Sequence, residues 1–519
     1  MKHLLILLSL LLFSLTIISC AKKDSKSNTE NTSSSKQYII VGVEGIILTS
    51  TDGENWSSKS SGTSTGLLDI TYGNNIFVTV GGGVILTNVR YRHEKHKMKK
   101  ILLKKFMVSV FCCLFYSSAA FAIRFERRQD QFDKTPGLFV LPVPYSFPGI
   151  GKGLFLIGNA GNIAETSTDV FGMGFTGDAQ GFFVSVDEFF VIPDWTYLSL
   201  TQGKIARFGQ NVYSSRGMKS EKNDFNIYAG TDFTFYNYEL VFTHFERRLE
   251  LAYGFNGGKG KFVEIRDFEG ELVQKLASPV VVDFAQKHLQ LKIDLTDDYG
   301  DPRDGLNIRI LQDRFPSVNQ GAAFDSITFA LTYYLPIPEN NTWAFHYFRS
   351  DAYVRDEGNT DLESLKTTQG YYACGGYAAC EAATLKSAQN QLYANKNGSS
   401  KSLGGADRLR SYPGTRYQAA HTLFYGTELR WNFSTENTKL DYWLLQDVQQ
   451  AIQAVFFWEQ GSVAEEIGDI GETIRSSYGT GIRLVTKSGS IYKFEMATGD
   501  EGAEMILFFE YPWMGLFGS

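Results

Sequence analysis

Ser326-Ile-Thr-Phe-Ala-Leu-Thr-Tyr-Tyr-Leu335 alternates apolar and polar side chains with a period of two. That period is typical of a β-strand whose two faces meet different surroundings. His288-Leu-Gln-Leu-Lys-Ile-Asp-Leu295 repeats the pattern, with leucine and isoleucine on one face and Gln290, Lys292 and Asp294 on the other. An apolar face opposite Lys and Asp favours a strand between lipid and a wet barrel lumen, although a soluble β-sandwich also alternates.

The composition of the chain narrows its class. Its 519 residues carry 50 Lys and Arg against 56 Asp and Glu, with a mean hydropathy of -0.17. This hydropathy excludes a polytopic helical membrane protein, and no basic cluster outside the leader-like segments indicates a nucleic-acid partner. At about ten residues per strand plus turns, residues 123–519 predict an all-β fold, a transmembrane antiparallel barrel of about 16 strands. We therefore expect a bacterial outer-membrane location, with outer-membrane lipid as the partner.

Two segments of the chain resemble export signals. Residues 1–20 combine a charged start with a Leu/Ile run that ends at Cys20, as in a lipoprotein signal, and residues 21–37 predict a flexible tether. Residues 98–122 repeat the arrangement and end in Ala-Phe-Ala122, which predicts a second, internal signal peptide. A transmembrane helix and a buried helix are the alternatives for this second segment, but its apolar core is short for a span.

Between the two signals, residues 38–97 contain a weak repeat followed by a basic linker. Gly45-Ile-Ile-Leu-Thr-Ser50 recurs as Gly83-Val-Ile-Leu-Thr-Asn88, and the first copy continues into a turn that resembles the Asp-box of β-propeller blades. The period of roughly 40 residues suits one blade, and a propeller needs about four blades to close. We therefore interpret this incomplete β-rich fragment as a truncated propeller-like lipoprotein that is read through into the barrel, with Met98 as the start of the functional product.

The end of the chain predicts a final barrel strand. In Glu504–Trp513, the residues Met505, Leu507, Phe509, Tyr511 and Trp513 share one face, and Pro512 suits the end of a strand.

Farther upstream, Cys374 and Cys380 flank two glycines. They predict a small loop disulfide in an oxidising compartment, and two free thiols are the alternative.

Several segments together resemble the BamA-type outer-membrane assembly factors, also called bacterial surface antigens. Leu403-Gly-Gly-Ala-Asp-Arg-Leu-Arg-Ser-Tyr-Pro-Gly414, with Glu428-Leu-Arg430 downstream, is similar to the Gly-Gly, Leu-Arg-Gly-Tyr and Glu-Leu-Arg wording of that family, with Ser411 where the family has glycine. The other matching segments are 139–153, the hairpin 294–305 with Asp294, Pro302 and Gly305, the strand 455–463 with Phe457 and Gly461, and 478–495. The hairpin is expected to be a tight turn, because Pro302 fixes φ and Gly305 permits a positive φ. In order and spacing the segments cover nearly all of 137–513.

The resemblance implies a role for the loop. In the family, this loop folds into the lumen and its arginine pairs with a carboxylate on the barrel wall. Carried over, it implies that Arg410, within the motif Gly404, Gly405, Leu409, Ser411 and Tyr412, pairs with Glu459, with Glu495 as a second candidate acceptor. Period two places Phe457, Glu459 and Gly461 on the lumen face, and an arginine fork suits a buried carboxylate. The alternative is that Arg410 is one solvated loop charge among several.

Three functions remain open at this stage. The resemblance implies an insertase or translocase whose first and last strands meet weakly, and the alternative is a passive channel or structural barrel. Family members usually carry periplasmic polypeptide-transport-associated domains, and too few residues separate Ala122 from the first strand for one; a periplasmic or lipoprotein partner would then replace them. A hydrolase is disfavoured, because the histidines at 244, 288, 346 and 421 are isolated and no nucleophile or metal motif accompanies them. We expect no enzyme activity, cofactor or metal.

Overall fold

The computed structural model describes parts of two units, which comprise Met1–Ala122 and Ile123–Ser519. The described residues are 19–22, 38–41, 47–50, 55, 57–59, 69–73, 76–81, 84–87, 136–147, 151–318, 321–338, 341–376, 378–433, 438–442, 445–486, 491–509 and 512–513. The predicted signal peptide at 98–122 and most of the predicted tether lie outside them. No helix in the described part of the chain has the length and apolar character needed to span a bilayer.

The first unit contains two small antiparallel sheets. One joins β1 (Ser19–Lys22), β2 (Tyr38–Val41), β3 (Ile47–Ser50) and β4 (Ser57–Lys59), and the other joins β5 (Asp69–Gly73), β6 (Ile76–Gly81) and β7 (Val84–Thr87). The two copies of the sequence repeat lie in β3 and β7, one in each sheet. Cys20 belongs to β1 and is paired with Ile40, so the start of the predicted tether is strand. The lipoprotein signal and the propeller interpretation stay predictions.

The second unit is a closed antiparallel barrel. Its strands are β8 (Gly137–Phe147), β9 (Gly151–Gly161), β10 (Asp169–Gly177), β11 (Gln180–Ile192), β12 (Thr196–Tyr213), β13 (Phe225–His244), β14 (Leu249–Arg266), β15 (Leu272–Asp294), β16 (Gly305–Phe315), β17 (Ala323–Ile337), β18 (Asn341–Asp356), β19 (His421–Asn432), β20 (Thr438–Tyr442), β21 (Leu445–Ala464), β22 (Arg475–Thr486), β23 (Ile491–Gly499) and β24 (Gly502–Phe509). The all-β prediction is confirmed.

The strand count also agrees with the sequence. β19 pairs with the later part of β21, and β20 pairs with the first part of the same edge of β21. The two short strands therefore lie end to end and share one position, so seventeen described strands occupy sixteen positions around the barrel. Along β17, the residues from Ser326 to Tyr334 alternate between buried and half-buried, as the period-two pattern predicts.

The longest connection of the barrel, 357–420, lies at one of its two ends. Antiparallel strands put successive connections at alternate ends, so this end also holds the connections 178–179, 214–224, 267–271, 316–322, 465–474 and 500–501, and we call it the long-loop end. The segment 357–420 contains two helices, α1 (Leu362–Thr368) and α2 (Ala378–Asn397). Asp361 caps α1 by accepting a hydrogen bond from the Glu363 backbone N–H. Four strands, β12–β15, extend beyond their neighbours at this end.

Two predicted features differ from the structure. The final strand ends at Phe509, and Trp513 lies in a turn and is buried instead of continuing the strand face. Pro512 explains this, because it has no N–H to donate to a ladder; Tyr511 and the side chain of Phe509 lie outside the described residues. The hairpin at 294–305 is a ten-residue loop, 295–304, where a tight turn was expected.

Candidate functional site: a buried charge cluster and a weak barrel seam

The loop 357–420 reaches the barrel wall through Arg410, which is fully buried. Its Nε donates to Glu459 Oε1 at 2.9 Å, and its backbone N–H donates to Glu459 Oε2 at 2.9 Å. Nη1 donates to Glu495 Oε2 at 2.7 Å, and Nη2 lies 3.4 Å from Glu428 Oε2. The guanidinium carbon also lies 3.4 Å from the centre of the Phe457 ring, a cation–π arrangement. The structure thus brings Arg410, Glu459, Glu495 and Phe457 together.

Three further members of this cluster were not identified from the sequence. Glu428 accepts from Arg483 and, at 2.7 Å, from Arg430 Nε, and Arg483 also donates to Glu495 at 2.6 Å. Period two contained the signal. Glu428 and Arg430 share parity with the buried Phe424 of β19, and Arg483 shares parity with Val485 of β22. A fourth cation, Lys493, donates to the Ala406 backbone carbonyl of the loop at 2.9 Å.

The charges of this cluster explain why it tolerates burial. Four cations (Arg410, Arg430, Arg483 and Lys493) surround three carboxylates (Glu428, Glu459 and Glu495), and all seven side chains are at most 2% exposed. Burial alone would lower the pKa of Arg410, but the Glu459 and Glu495 carboxylates raise that pKa above its ordinary value. The loop guanidinium therefore stays charged and bound to wall carboxylates from β19, β21 and β23.

Small residues make room for the loop in the barrel. A Cβ at Gly461 would lie 2.7 Å from Leu403 Cδ1, and a Cβ at Gly499 would lie 2.4 Å from Ser411 Oγ. Gly499 of β23 thus leaves the space that the Ser411 side chain occupies. Gly404 has φ +104, a conformation that side chains rarely adopt, so the chain turns there without strain.

Tyr412 and the adjoining residues fasten the loop at the long-loop end. The Tyr412 hydroxyl donates to the Ser476 carbonyl at 3.2 Å and accepts from the Asp500 backbone N–H at 3.3 Å. Arg416 forms an ion pair with Glu501 at 2.6 Å and donates to the Ser220 carbonyl at 2.8 Å. The loop is therefore held by two other connections of the barrel as well as by its wall.

A second arginine, Arg216 in the connection between β12 and β13, joins the loop 357–420 to the connection between β21 and β22. Arg216 Nε donates to Glu465 Oε1 at 2.6 Å, and Arg216 Nη2 donates to the Gly398 carbonyl at 2.8 Å. Cys374, which follows α1, is disulfide-bonded. Cys380 lies in the first turn of α2, and its side chain lies outside the described residues.

The loop 295–304 is held by hydrogen bonds among its own residues and Asp294. Asp294 Oδ1 accepts from the Thr296 backbone N–H at 3.0 Å, and Asp298 Oδ1 accepts from the backbone N–H groups of Gly300 and Asp301. Pro302 lies within this loop. Gly305 has φ +112, and a Cβ there would lie 2.3 Å from the Leu295 carbonyl oxygen. The sequence motif is thus a structural turn element.

The barrel closes through very little backbone pairing. β8 pairs with β9 along its whole length, whereas β24 and β8 share one register pair, Leu507 with Ser146. Two more pairs join the start of β8 to β21, through Phe139 and Leu138. Elsewhere among the described strands of the barrel, β20 and β21 share four register pairs, and every other ladder has at least seven. The junction of β8 with β24, which we call the seam, is therefore the weakest backbone contact of the wall.

Trp513 packs beside the cluster, with its ring centre 6.0 Å from the Arg410 guanidinium carbon. Trp513 stacks on His346 of β18 with ring centres 4.9 Å apart and planes 6° apart. A Cβ at Gly426 would lie 2.5 Å from Trp513 Cζ2, so β19 leaves space for the indole.

In the described part of the chain, no group of three or more His, Cys, Asp or Glu side chains could hold a metal ion.

Comparison with known proteins gave matches only among solved structures. No family model and no curated protein matches the chain. The matching structures include BamA from Haemophilus ducreyi lacking POTRA domains 1–3 (11% identity, TM-score 0.40, 72% of this chain and 69% of that chain) and CdiB from Escherichia coli (12%, 0.41, 72% and 62%). CdiB from Acinetobacter baumannii also matches (11%, 0.38, 72% and 58%). At these scores the likeness carries no argument about activity.

Proposed function

We propose that this chain is a bacterial outer-membrane β-barrel that inserts or translocates polypeptide through its seam, without enzyme activity. The observation that carries the proposal is that a single register pair joins the described residues of β8 and β24. Each backbone hydrogen bond contributes about 0.5–1.5 kcal/mol net, so parting this junction disrupts far less than parting any long ladder. The freed edges of β8 and β24 would then be templates for an incoming strand.

A membrane location is supported by the outer surface of the barrel. Large apolar side chains are exposed on outward-facing positions of many strands, among them Leu154, Leu156, Phe182, Val184, Leu251, Phe255, Trp343, Phe345, Tyr425, Phe456, Trp458, Ile482 and Phe494. Soluble monomers rarely expose contiguous apolar surface on this scale, whereas a barrel in lipid requires it. Outer-membrane lipid is therefore the proposed surrounding of the wall, and a periplasmic or lipoprotein partner is the proposed source of captured substrate.

The buried loop supports an active seam over a passive channel. Arg410 and its partners fill part of the lumen with fully buried side chains, and the loop is fixed by Arg416 and Tyr412 at its base. We propose that the role of Arg410 is to pin this loop in the lumen, where it braces the strands on the β24 side of the seam. A passive pore would instead need an open path, so we expect little steady conductance in planar bilayers.

A reversible lock tests the seam. A Ser146→Cys/Leu507→Cys variant places thiols on the register partners of the seam, and a Leu291→Cys/Ile310→Cys variant does so within the β15–β16 ladder. In proteoliposomes, we expect the reduced seam variant to accelerate insertion of an unfolded outer-membrane barrel protein, and oxidation to abolish this. The control variant should be indifferent to oxidation. An oxidised seam variant with full activity, or a native protein no faster than empty liposomes, would contradict the proposal.

A further inference from the structure

Strands β12–β15 extend beyond their neighbours at the long-loop end, and there one edge of β15 has no described partner strand. The ladder between β15 and β16 begins only at Lys287, paired with Arg314. The preceding segment, Val280-Val-Val-Asp-Phe-Ala-Gln286, pairs with β14 on one side. On its other side no described strand forms a ladder with it, although the Gln286 side chain donates to Asp313 of β16 at 3.2 Å. It presents about 23 Å of open strand edge at 3.3 Å per residue.

The devices that normally blunt such an edge lie elsewhere on β15. A register shift separates Lys275 from Val280, and Pro279 lies within it, so residues 276–279 are unsuited to pairing. The segment 280–286 has no proline and one charge, and Val280, Val281 and Phe284 are 53%, 48% and 43% exposed. A segment of this composition on an open edge is a template for strand addition.

The extension formed by β12–β15 is held by other loops at its β12–β13 corner, and its opposite edge is β15. Arg416 binds Ser220 in the connection between β12 and β13, and the Gly217 N–H donates to the Gln418 carbonyl at 3.0 Å. The loop 357–420 thus anchors the β12–β13 corner. Phe284 stacks on Phe233 at 5.9 Å, which holds β15 against the sheet. An incoming strand would meet a preorganised edge, and little ordering of β15 would oppose binding.

The two faces of the edge specify the chemistry of that strand. The inner face carries Phe284 beside Phe233, and the outer face carries the exposed Lys259 and Lys261 on β14. At the base of the open position, Lys287 and Arg314 are register partners and both exposed. The single carboxylate of the segment, Asp283, is paired in register with Lys259. Arg314 Nε also lies 3.8 Å from Asp325 Oδ1. Four basic and two acidic side chains therefore line the outer face, which is net basic beside an apolar inner face.

We propose that residues 280–286 of β15 bind an extended polypeptide whose residues alternate between apolar and acidic, by addition of a strand above the end of β16. Its apolar residues would lie on the inner face with Phe284, and its carboxylates on the outer face near Lys287 and Arg314. A second copy in the same membrane fits poorly. Its symmetry axis would lie along the membrane normal, close to the plane of the sheet, and the rotation would join the lysine face of one copy to the aromatic face of the other.

Peptide binding to the full-length protein in nanodiscs tests the proposal by fluorescence anisotropy. The probes are labelled octapeptides of alternating Val-Glu, alternating Val-Lys, and Val-Glu with N-methyl groups on alternate residues. We expect the Val-Glu peptide to bind about tenfold more tightly than the Val-Lys peptide, from two cross-strand charge pairs. N-methylation should abolish binding, because it removes the donors that would pair with the edge.

Variants separate strand addition from adherence to an apolar surface. Val282→Pro should abolish binding, whereas Val273→Pro, on the same strand beyond the register shift, should leave it unchanged. Lys287→Glu/Arg314→Glu should reverse the preference in favour of the Val-Lys peptide. Heat-modifiable migration of each variant verifies the folded barrel. Equal binding of both charged peptides, binding of the N-methylated peptide, or equal effects of the two proline variants would overturn the proposal. Cross-linking of two copies through Val281→Cys would also overturn it.

Discussion

Replacement of Arg410 by methionine should destabilise the barrel mainly through one carboxylate. Glu428 keeps Arg430 and Arg483, and Glu495 keeps Arg483. Glu459 has an ion pair only with Arg410 among the described residues. Its Oε2 keeps the Arg410 backbone N–H, so one buried carboxylate loses its counterion while the rest of the cluster remains paired. Breaking a buried pair on one side typically costs about 3–5 kcal/mol, and we expect Arg410→Met to fall in this range.

The double variant decides whether the uncompensated charge is the cause. Glu459→Gln alone leaves Arg410 bound to Glu495 at 2.7 Å, so it should cost about 1–3 kcal/mol, the penalty of a weakened buried hydrogen bond. Arg410→Met/Glu459→Gln carries no orphaned carboxylate and should be about 1–2 kcal/mol more stable than Arg410→Met. The free energy of unfolding comes from urea titration in lipid vesicles, with Trp fluorescence and heat-modifiable migration as readouts.

The cycle also has a clear negative result. If the double variant were as unstable as the sum of the two single variants, Arg410 and Glu459 would act independently and the geometry of the fork would be irrelevant. If Arg410→Met were as stable as the native protein, the loop would be held by Tyr412, Arg416 and Lys493 without it. Arg408→Met is the matched control, because Arg408 is a buried arginine of the same loop that lies over the Phe348 ring and donates to the Ser402 backbone carbonyl.

Two further predictions test the surroundings of the cluster. Gly305→Ala should lower the stability of the barrel by about 1–3 kcal/mol, because φ is +112 and the added Cβ meets the Leu295 carbonyl; Gly300→Ala in the same loop, which meets no atom nearer than 3.8 Å, is the control for urea titration, and equal losses would contradict the reasoning. Arg216→Ala should expose the loop 357–420 to trypsin, because it breaks the 2.6 Å pair with Glu465 and the bond to Gly398; an unchanged cleavage rate in intact cells would show that the remaining contacts suffice.

The alternation of side chains predicted the wall of the barrel better than it predicted the contents of its lumen. Period two in β17 and β15 indicated the two faces of each strand, because a strand repeats every two residues whatever its neighbours are. The same parity contained Glu428 and Arg483. Their partnership depends on which strands are neighbours and in what register, and the local pattern does not encode either. The position of the three carboxylates around the Arg410 guanidinium depends on that register.

The sequence did not predict the helix α2 or the buried position of Trp513, for two different physical reasons. α2 is rich in Ala, Leu, Gln and Lys, which favour helix, so its composition held a usable signal inside a loop that is otherwise polar. The position of Trp513 held no such signal. Alternation alone predicts Trp513 on the strand face. Only Pro512 indicates that the ladder stops before it. The indole fits because Gly426, on a strand distant in sequence, leaves the space.

The seam separates two parts of the wall that are stiffened by different means. On the β24 side, Arg410 links carboxylates of β19, β21 and β23, and Trp513 packs against β18 and β19. We therefore expect these strands to form one rigid block. On the β8 side, Tyr145, Phe155 and neighbouring apolar side chains form a cluster on β8–β11. Tyr492 of β23 packs against that cluster, so side-chain burial supplements the one register pair. Apolar side-chain contacts are less directional than the hydrogen bonds of a ladder. We therefore expect the two blocks to separate at the junction of β8 with β24 before either block loses its own strand pairing.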